Sequence, residues 1–164
     1  MTDQTPDHID GADMPLPPAI YPLICVAGGY FLDKYLPLSA PEFFSTEPAI
    51  NDKLAAATLL ASLLLIAWAI ATLRSKQTTL LPHKAVATLV TSGPYNYSRN
   101  PMYLGFTLLL LAMFFSTLNP WLAILLPLNI ALLQYYVILP EEKHLAERFN
   151  SAYDNYQSKV RRWL

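Results

Sequence analysis

Side chains that are able to do chemistry gather in two segments of this chain, residues 82–103 and residues 140–150. The second segment opens with two adjacent carboxylates, Glu141 and Glu142, and the first contains an arginine, Arg99. A carboxylate is able to accept a proton or to face a cation, and an arginine binds a carboxylate through paired hydrogen bonds. These residue types therefore predict proton transfer or the binding of a ligand that has charged groups.

The two segments flank a predicted pair of membrane-spanning helices. The 39 residues between Asn100 and Pro140 carry no charge, about twice what one crossing needs, and Asn119-Pro120 near the middle is a turn signal. This pattern predicts an antiparallel hairpin of two spans, at residues 101–118 and 121–139. Because the two open ends of such a hairpin lie side by side, we expect the two segments to form a single site. The residues expected to meet there are Arg99, Asn100, Tyr103, Glu141 and Glu142.

The composition of the chain indicates a membrane protein. Of its 164 residues, 54% are apolar or aromatic and only 14% are charged, whereas a soluble domain carries about a quarter charged residues. The net charge of -1 provides no cationic surface for nucleic acid. The single cysteine, Cys25, excludes an internal disulfide, and no cysteine and histidine cluster has metal-ligand spacing. We therefore expect one lipid-facing domain with neither a metal nor a nucleic-acid partner.

Two further stretches predict additional spans, at residues 18–36 and 54–73. The second is an uncharged run of 20 residues, which covers the roughly 30 Å hydrocarbon layer at about 1.5 Å per residue. Four spans place both termini and the loop at residues 74–100 on one side, where nine of the eleven Lys and Arg residues fall. Because cations collect on the cytoplasmic side, both termini are predicted to be cytoplasmic.

The predicted fold is an all-α integral membrane protein of four transmembrane helices, with a C-terminal helical hairpin and a cytoplasmic amphipathic tail helix. Residues 1–14 are expected to be a disordered acidic arm, and residues 15–164 a single membrane-embedded domain. Trp163 and Leu164, which follow two arginines, predict an anchor at the membrane interface. Six tail residues recur at helical spacing and are predicted to share one face of one helix: Leu145, Phe149, Ala152, Tyr153, Tyr156 and Val160.

Three blocks in a fixed order resemble a known family. The first block is LVTSGPY at residues 89–95, and the second is RNPMYLG at residues 99–105. The third is the Glu141-Glu142 pair with the aromatic tail that follows it. Together with the hairpin between them, these blocks resemble the isoprenylcysteine carboxyl methyltransferase family, which has bacterial relatives and is related to phospholipid methyltransferases. The resemblance covers about residues 75–164.

The resemblance implies an integral-membrane enzyme that transfers a methyl group from S-adenosylmethionine to a lipophilic acceptor. The cofactor is then held on the cytoplasmic side by residues 75–100 and 140–164. The implied cofactor pocket is lined by Ala87, Thr88, Leu89, Val90, Tyr95, Asn100, Pro101, Met102, Tyr103 and Glu141. In this pocket Glu141 and the tyrosines suit the cationic sulfonium, and Arg99 suits the methionine carboxylate. Catalytic roles are therefore expected for Arg99, Glu141 and Glu142.

Two positions differ from the family pattern and bear on the acceptor. Asn100 stands where the family has a histidine, so a histidine proton shuttle is not expected. Val137 stands where the prenylcysteine enzymes carry an arginine that faces the acceptor, which disfavours prenylcysteine. A carboxylate acceptor needs no base, whereas an amine such as phosphatidylethanolamine must first lose a proton to Glu141 or Glu142. The sequence leaves both kinds of acceptor open.

Other interpretations of the same residues stay open as well. Asn100 and Pro101 form a favoured helix start without any ligand, and the acidic pair after Pro140 suits the positive end of a new helix. A phospholipid or small-lipid N-methyltransferase is one alternative, and a non-catalytic membrane scaffold is another. The central parts of the predicted spans lack charges, which disfavours a transporter. The expected partners are the bilayer and a lipophilic acceptor, and the oligomeric state is left open.

Overall fold

The computed structural model describes residues 15–40, 48–76 and 88–164. Within these ranges the chain is helical and contains no strand, which confirms the all-α prediction. The predicted acidic arm and Ala87 lie outside the described residues. The helices are α1 (Ile20–Tyr35), α2 (Pro48–Ser75), α3 (Pro101–Thr117), α4 (Pro120–Leu133), α5 (Leu139–Phe149) and α6 (Ser151–Lys159), with a 3-10 turn at Gly93–Asn96 and a π-helical segment at Gln134–Ile138.

Two helices are long and apolar enough to cross a membrane, Ala49–Ser75 and Pro120–Phe149. They contain 27 and 30 residues, and each therefore extends about 40 Å or more at about 1.5 Å per residue. Helix α3 is apolar but has 17 residues, and α1 has 16, fewer than the about 20 residues of a typical span. Length and composition thus support two of the four predicted spans, and the other two stay predictions.

The turn between α3 and α4 lies where the sequence predicts it. Leu118 has a φ of 52°, in the left-handed region that ends a helix. The Asn119 side chain accepts a hydrogen bond from the Trp121 N–H at 2.9 Å and so caps α4. Its Nδ2 group donates to the Gly29 carbonyl at 3.1 Å. One asparagine therefore closes the hairpin and joins it to α1.

Helices α2 and α3 approach each other closely at Gly105. The Ser62 hydroxyl donates to the Gly105 carbonyl at 2.8 Å, and a Cβ atom added to Gly105 would lie 2.5 Å from Ile66 Cγ1. The missing side chain therefore allows the two backbones to meet, as small residues do in membrane helix pairs. The core between α1, α3 and α4 is formed by Cys25, Leu110, Phe114 and Leu122.

Helix α4 continues through the π-helical segment into α5 without a break, so one long helix carries both an apolar and a charged part. The apolar part ends at Leu139, and the charged part begins at Glu141. A π-helical turn widens the helix locally, and such turns are frequent at functional sites. Here the π-helical segment comes directly before the turn that carries the two glutamates.

The predicted tail helix is two helices, α5 and α6, so the prediction of one shared face is wrong. Asn150 separates them and has a φ of 44°. A positive φ does not continue a right-handed helix, and asparagine adopts it more readily than most residues. The six residues predicted to share a face are accordingly divided. Leu145 and Phe149 lie in α5, Ala152, Tyr153 and Tyr156 lie in α6, and Val160 lies just beyond it.

Candidate functional site

The two chemical segments meet at the open end of the α3–α4 hairpin. Tyr103 in the first turn of α3 donates its hydroxyl to Glu141 Oε2 at 2.9 Å, and Arg99 Nη2 lies 3.3 Å from Glu142 Oε1. Residues 38 positions apart in sequence are thus in direct contact. The predicted approach of Arg99 and Tyr103 to the glutamate pair is confirmed.

Glu142 lies in a cluster of two arginines. Besides its contact with Arg99, it accepts hydrogen bonds from Arg162 Nη2 at 2.8 Å and from Arg162 Nε at 3.1 Å. The side chains of Glu142 and Arg99 are 11% and 8% exposed, and that of Arg162 is 31% exposed. A buried carboxylate needs such partners because an unpaired charge is costly away from water. Arg99 and Arg162 therefore both bind the Glu142 carboxylate.

The guanidinium of Arg99 keeps one group free within the site. Its Nη1 lies 3.5 Å from the hydroxyl of the buried Tyr153, and its Nη2 contacts Glu142. Its Nε–H is buried, and no hydrogen-bond partner for it occurs among the described residues. Buried donors are normally paired, so this group is suited to a carboxylate that comes with a ligand.

The C-terminal segment, residues 161–163, closes the site from a third side. The Arg99 N–H donates to the Arg161 carbonyl at 3.0 Å, and Asn100 Nδ2 donates to the Arg162 carbonyl at 3.1 Å. Trp163 Nε1 donates to Gln134 Oε1 at 3.2 Å, in the π-helical segment. The sequence predicted only an interfacial anchor at Trp163 and did not predict these contacts. Two of the three acceptors are backbone carbonyls, which no residue type marks.

Asn100 stands at the N-cap position of α3, but its side chain makes no capping bond. Pro101 fills the first helical position, as a ligand-free helix start predicts. The Asn100 amide is 7% exposed and is used instead for the Arg162 carbonyl. The helix-start interpretation therefore accounts for where Asn100 stands but not for what its side chain does.

The LVTSGPY block, residues 89–95, packs beside α6 and borders a cavity. Gly93 has a φ of 64°, and a Cβ atom there would lie 2.6 Å from Thr72 Oγ1, so both the backbone and the contact with α2 require glycine. The Tyr156 hydroxyl donates to the Tyr95 carbonyl at 2.7 Å and joins the 3-10 turn to α6. A cavity of about 610 Å³ lies between these elements, lined by Leu89, Thr91, Asn96, Ala152, Asn155, Tyr156, Lys159 and Val160.

Burial changes the acid–base properties of the groups around the site. Burial raises the pKa of Glu141 to about 7, the Tyr103 hydrogen bond opposes this rise, and the nearby Glu142 reinforces it. Burial also raises the pKa of Tyr95, and the charge of Glu141 adds to that effect. Both shifts favour the neutral form, and the pKa of about 7 allows Glu141 to gain or lose a proton near neutral pH.

The implied cofactor residues do not all lie at this centre. Asn100, Tyr103 and Glu141 contact or adjoin the ion cluster, and Leu89 lines the cavity. Val90 is 9% exposed, whereas Thr88 is exposed, with its hydroxyl 3.5 Å from the Lys76 carbonyl. The other members with a described position are Tyr95, which accepts from Tyr156, the buried Pro101 and the half-buried Met102.

Comparison with known proteins identifies the family of the chain. A family model described as phospholipid methyltransferase matches residues 51–152, more than half of the chain. The chain therefore belongs to this family, which is related to the isoprenylcysteine carboxyl methyltransferases. The match confirms the resemblance predicted from the sequence. No curated protein and no solved structure matches the chain. Family membership and the two long apolar helices indicate a membrane methyltransferase.

Proposed function

We propose that this member of the phospholipid methyltransferase family transfers a methyl group from S-adenosylmethionine to a lipophilic or amphiphilic acceptor at the cytoplasmic face of the membrane. The observation that carries the proposal is the contact of Tyr103 with Glu141 beside the Arg99–Glu142 pair. It joins a half-buried carboxylate, an aromatic ring and a cation at the open end of an apolar hairpin. S-adenosylmethionine has the matching groups: a sulfonium, a carboxylate and an aromatic base.

The residues present fit this cofactor at each of its three parts. Glu141 with the rings of Tyr95 and Tyr103 provides a carboxylate and aromatic faces for the sulfonium. The Nε–H of Arg99, which has no hydrogen-bond partner among the described residues, is suited to the methionine carboxylate. The cavity of about 610 Å³ beside Leu89 falls within the size range of ligand pockets and suits the adenosine part.

Methyl transfer requires the protein mainly to position the methyl donor and the acceptor. The bound cofactor would supply a methyl group that the acceptor attacks in line while the thioether sulfur leaves, so donor and acceptor must be held about 3 Å apart and aligned. An amine acceptor must also lose a proton, and Glu141, with a pKa of about 7, is suited to accept it. Glu142 is bound by Arg99 and Arg162 and is better suited to holding the site together. A carboxylate acceptor needs no base.

The proposed placement in the membrane has four spans, with both termini on the cytoplasmic side of a bacterial inner membrane. Two apolar helices of spanning length and the unequal distribution of Lys and Arg support it. The acceptor then reaches the site sideways from the bilayer, and the cofactor reaches it from the cytoplasm. The family description favours a phospholipid acceptor, and the fully buried Val137 in place of an arginine disfavours prenylcysteine.

Calorimetry with S-adenosylmethionine on the detergent-purified protein tests the proposal. We expect the wild type to bind, and Glu141→Gln to bind at least tenfold more weakly, a loss of about 1.4 kcal/mol. Glu147→Gln is the matched control, because Glu147 lies on the same helix with a side chain that is 65% exposed. Folded wild-type protein that does not bind would contradict the proposal and favour the non-catalytic scaffold.

A further inference from the structure

We propose that the C-terminal segment, residues 161–163, holds the two halves of the proposed cofactor site in fixed positions relative to each other. Arg162 is the main positioning residue of this segment. One half is the loop at residues 98–100 with the start of α3, and the other is the start of α5. This inference rests on the proposed function, because the site that the segment positions is the proposed cofactor site. The segment itself lies outside the residues that match the family model.

The segment is joined to the first half of the site through its backbone. The Arg161 carbonyl accepts the Arg99 N–H at 3.0 Å. The Arg162 carbonyl accepts both Asn100 Nδ2 at 3.1 Å and Ser98 Oγ at 3.4 Å. Ser98 and Asn100 are 2% and 7% exposed, and buried polar groups that lose their partners are costly. The loop is therefore held in place by residues that come 62 to 64 positions later in the chain.

The same segment is joined to the second half through its side chains. The Arg162 guanidinium donates to both oxygens of Glu142 at 2.8 to 3.2 Å. The Trp163 indole donates to Gln134 in the π-helical segment and packs against the cluster that contains Tyr103 and Val137. Arg162 thus contacts the loop through its carbonyl and α5 through its side chain, so one residue links both halves.

Arg162 also affects which groups of the Arg99 guanidinium contact Glu142. Because Arg162 supplies three hydrogen bonds to Glu142, Arg99 contacts that carboxylate only through Nη2. The Nε–H of Arg99 is then left for a ligand. Without the Arg162 side chain, Glu142 has Arg99 as its remaining arginine partner. Arg99 is then expected to turn towards Glu142 and away from the cofactor carboxylate.

The test compares Arg162→Gln with Arg161→Gln, its exposed neighbour. Two readouts are measured on the full-length protein: hydrogen exchange of residues 97–103 without cofactor, and the dissociation constant for S-adenosylmethionine. For Arg162→Gln we expect faster exchange in this loop and at least tenfold weaker binding. For Arg161→Gln we expect both readouts within twofold of the wild type. Arg162→Lys restores the charge without the paired geometry and is expected to recover part of the loss.

A purely structural role predicts a different pattern. If Arg162→Gln lowers the unfolding temperature but leaves loop exchange and cofactor affinity unchanged, the inference is overturned. Should Arg162→Gln not fold, Trp163→Phe removes only the indole donor, and the same two readouts are expected to change in the same direction by about threefold. Wild-type protein that does not bind S-adenosylmethionine contradicts the proposed function, and the exchange comparison still decides whether the segment holds the loop.

Discussion

At the scale of single residues, two adjacent glutamates have different surroundings. Glu141 has Tyr103 as its hydrogen-bond donor, whereas Glu142 has two arginines. Two guanidinium groups pair with Glu142, whereas burial raises the pKa of Glu141 and stabilises its neutral form. The sequence predicted that both glutamates lie at the site. It did not predict that they have different partners, because Arg162 lies 20 positions beyond Glu142 in the chain.

The affinity for S-adenosylmethionine is expected to depend on pH through Glu141. The pKa of Glu141 is raised to about 7, so its carboxyl is mostly protonated below that pH and must lose a proton to face a cation. The dissociation constant is therefore expected to rise about tenfold from pH 8 to pH 6, measured by calorimetry. Glu141→Gln serves as the control, because the pH dependence that it keeps comes from the ligand. Equal pH dependence in both proteins would contradict this role.

At the scale of elements, the sequence predicted what local signals determine. The uncharged hairpin with its Asn119-Pro120 turn appears as α3 and α4, with the cap that asparagine favours. The helical break at Asn150 was missed because the apolar spacing continues across it. The π-helical segment at Gln134–Ile138 was missed because no residue type marks it.

The close crossing of α2 and α3 is expected to be sensitive to one methyl group. Gly105→Ala places a Cβ atom 2.5 Å from Ile66 Cγ1 and 3.4 Å from the Ser62 carbonyl. We expect a loss of about 1 to 3 kcal/mol in the free energy of unfolding, measured in detergent. Gly28→Ala is the control, because its Cβ would lie 3.8 Å from Leu125 Cδ1, an ordinary contact.

The steric explanation also predicts a compensating change. Ile66→Ala removes the side chain that the new methyl group meets, so the double variant with Gly105→Ala should be less destabilised than the sum of the two single variants. Two results would contradict this close contact between α2 and α3. One is that the losses in unfolding free energy of the two single variants simply add in the double variant, and the other is that Gly105→Ala is as stable as Gly28→Ala.

At the scale of the whole molecule, the distribution of charge predicts one topology. Four spans place α6 and the loop after α2 on the cytoplasmic side and the start of α2 on the other side. In a Cys25→Ser background, Gln157→Cys should react with an impermeant thiol reagent from the cytoplasmic side, and Lys53→Cys from the opposite side. Both positions are exposed. Labelling of both from the same side would exclude the four-span arrangement.

The central claim is that the chain transfers a methyl group from S-adenosylmethionine to a lipophilic or amphiphilic acceptor in the membrane. The most direct measurement is the transfer of radiolabelled methyl groups from S-adenosylmethionine to vesicles of total bacterial lipid by the purified protein. The account predicts label in the lipid fraction with the wild type and with Glu147→Gln, and a loss of at least tenfold with Glu141→Gln. Folded wild-type protein that leaves the lipid fraction unlabelled would contradict the account.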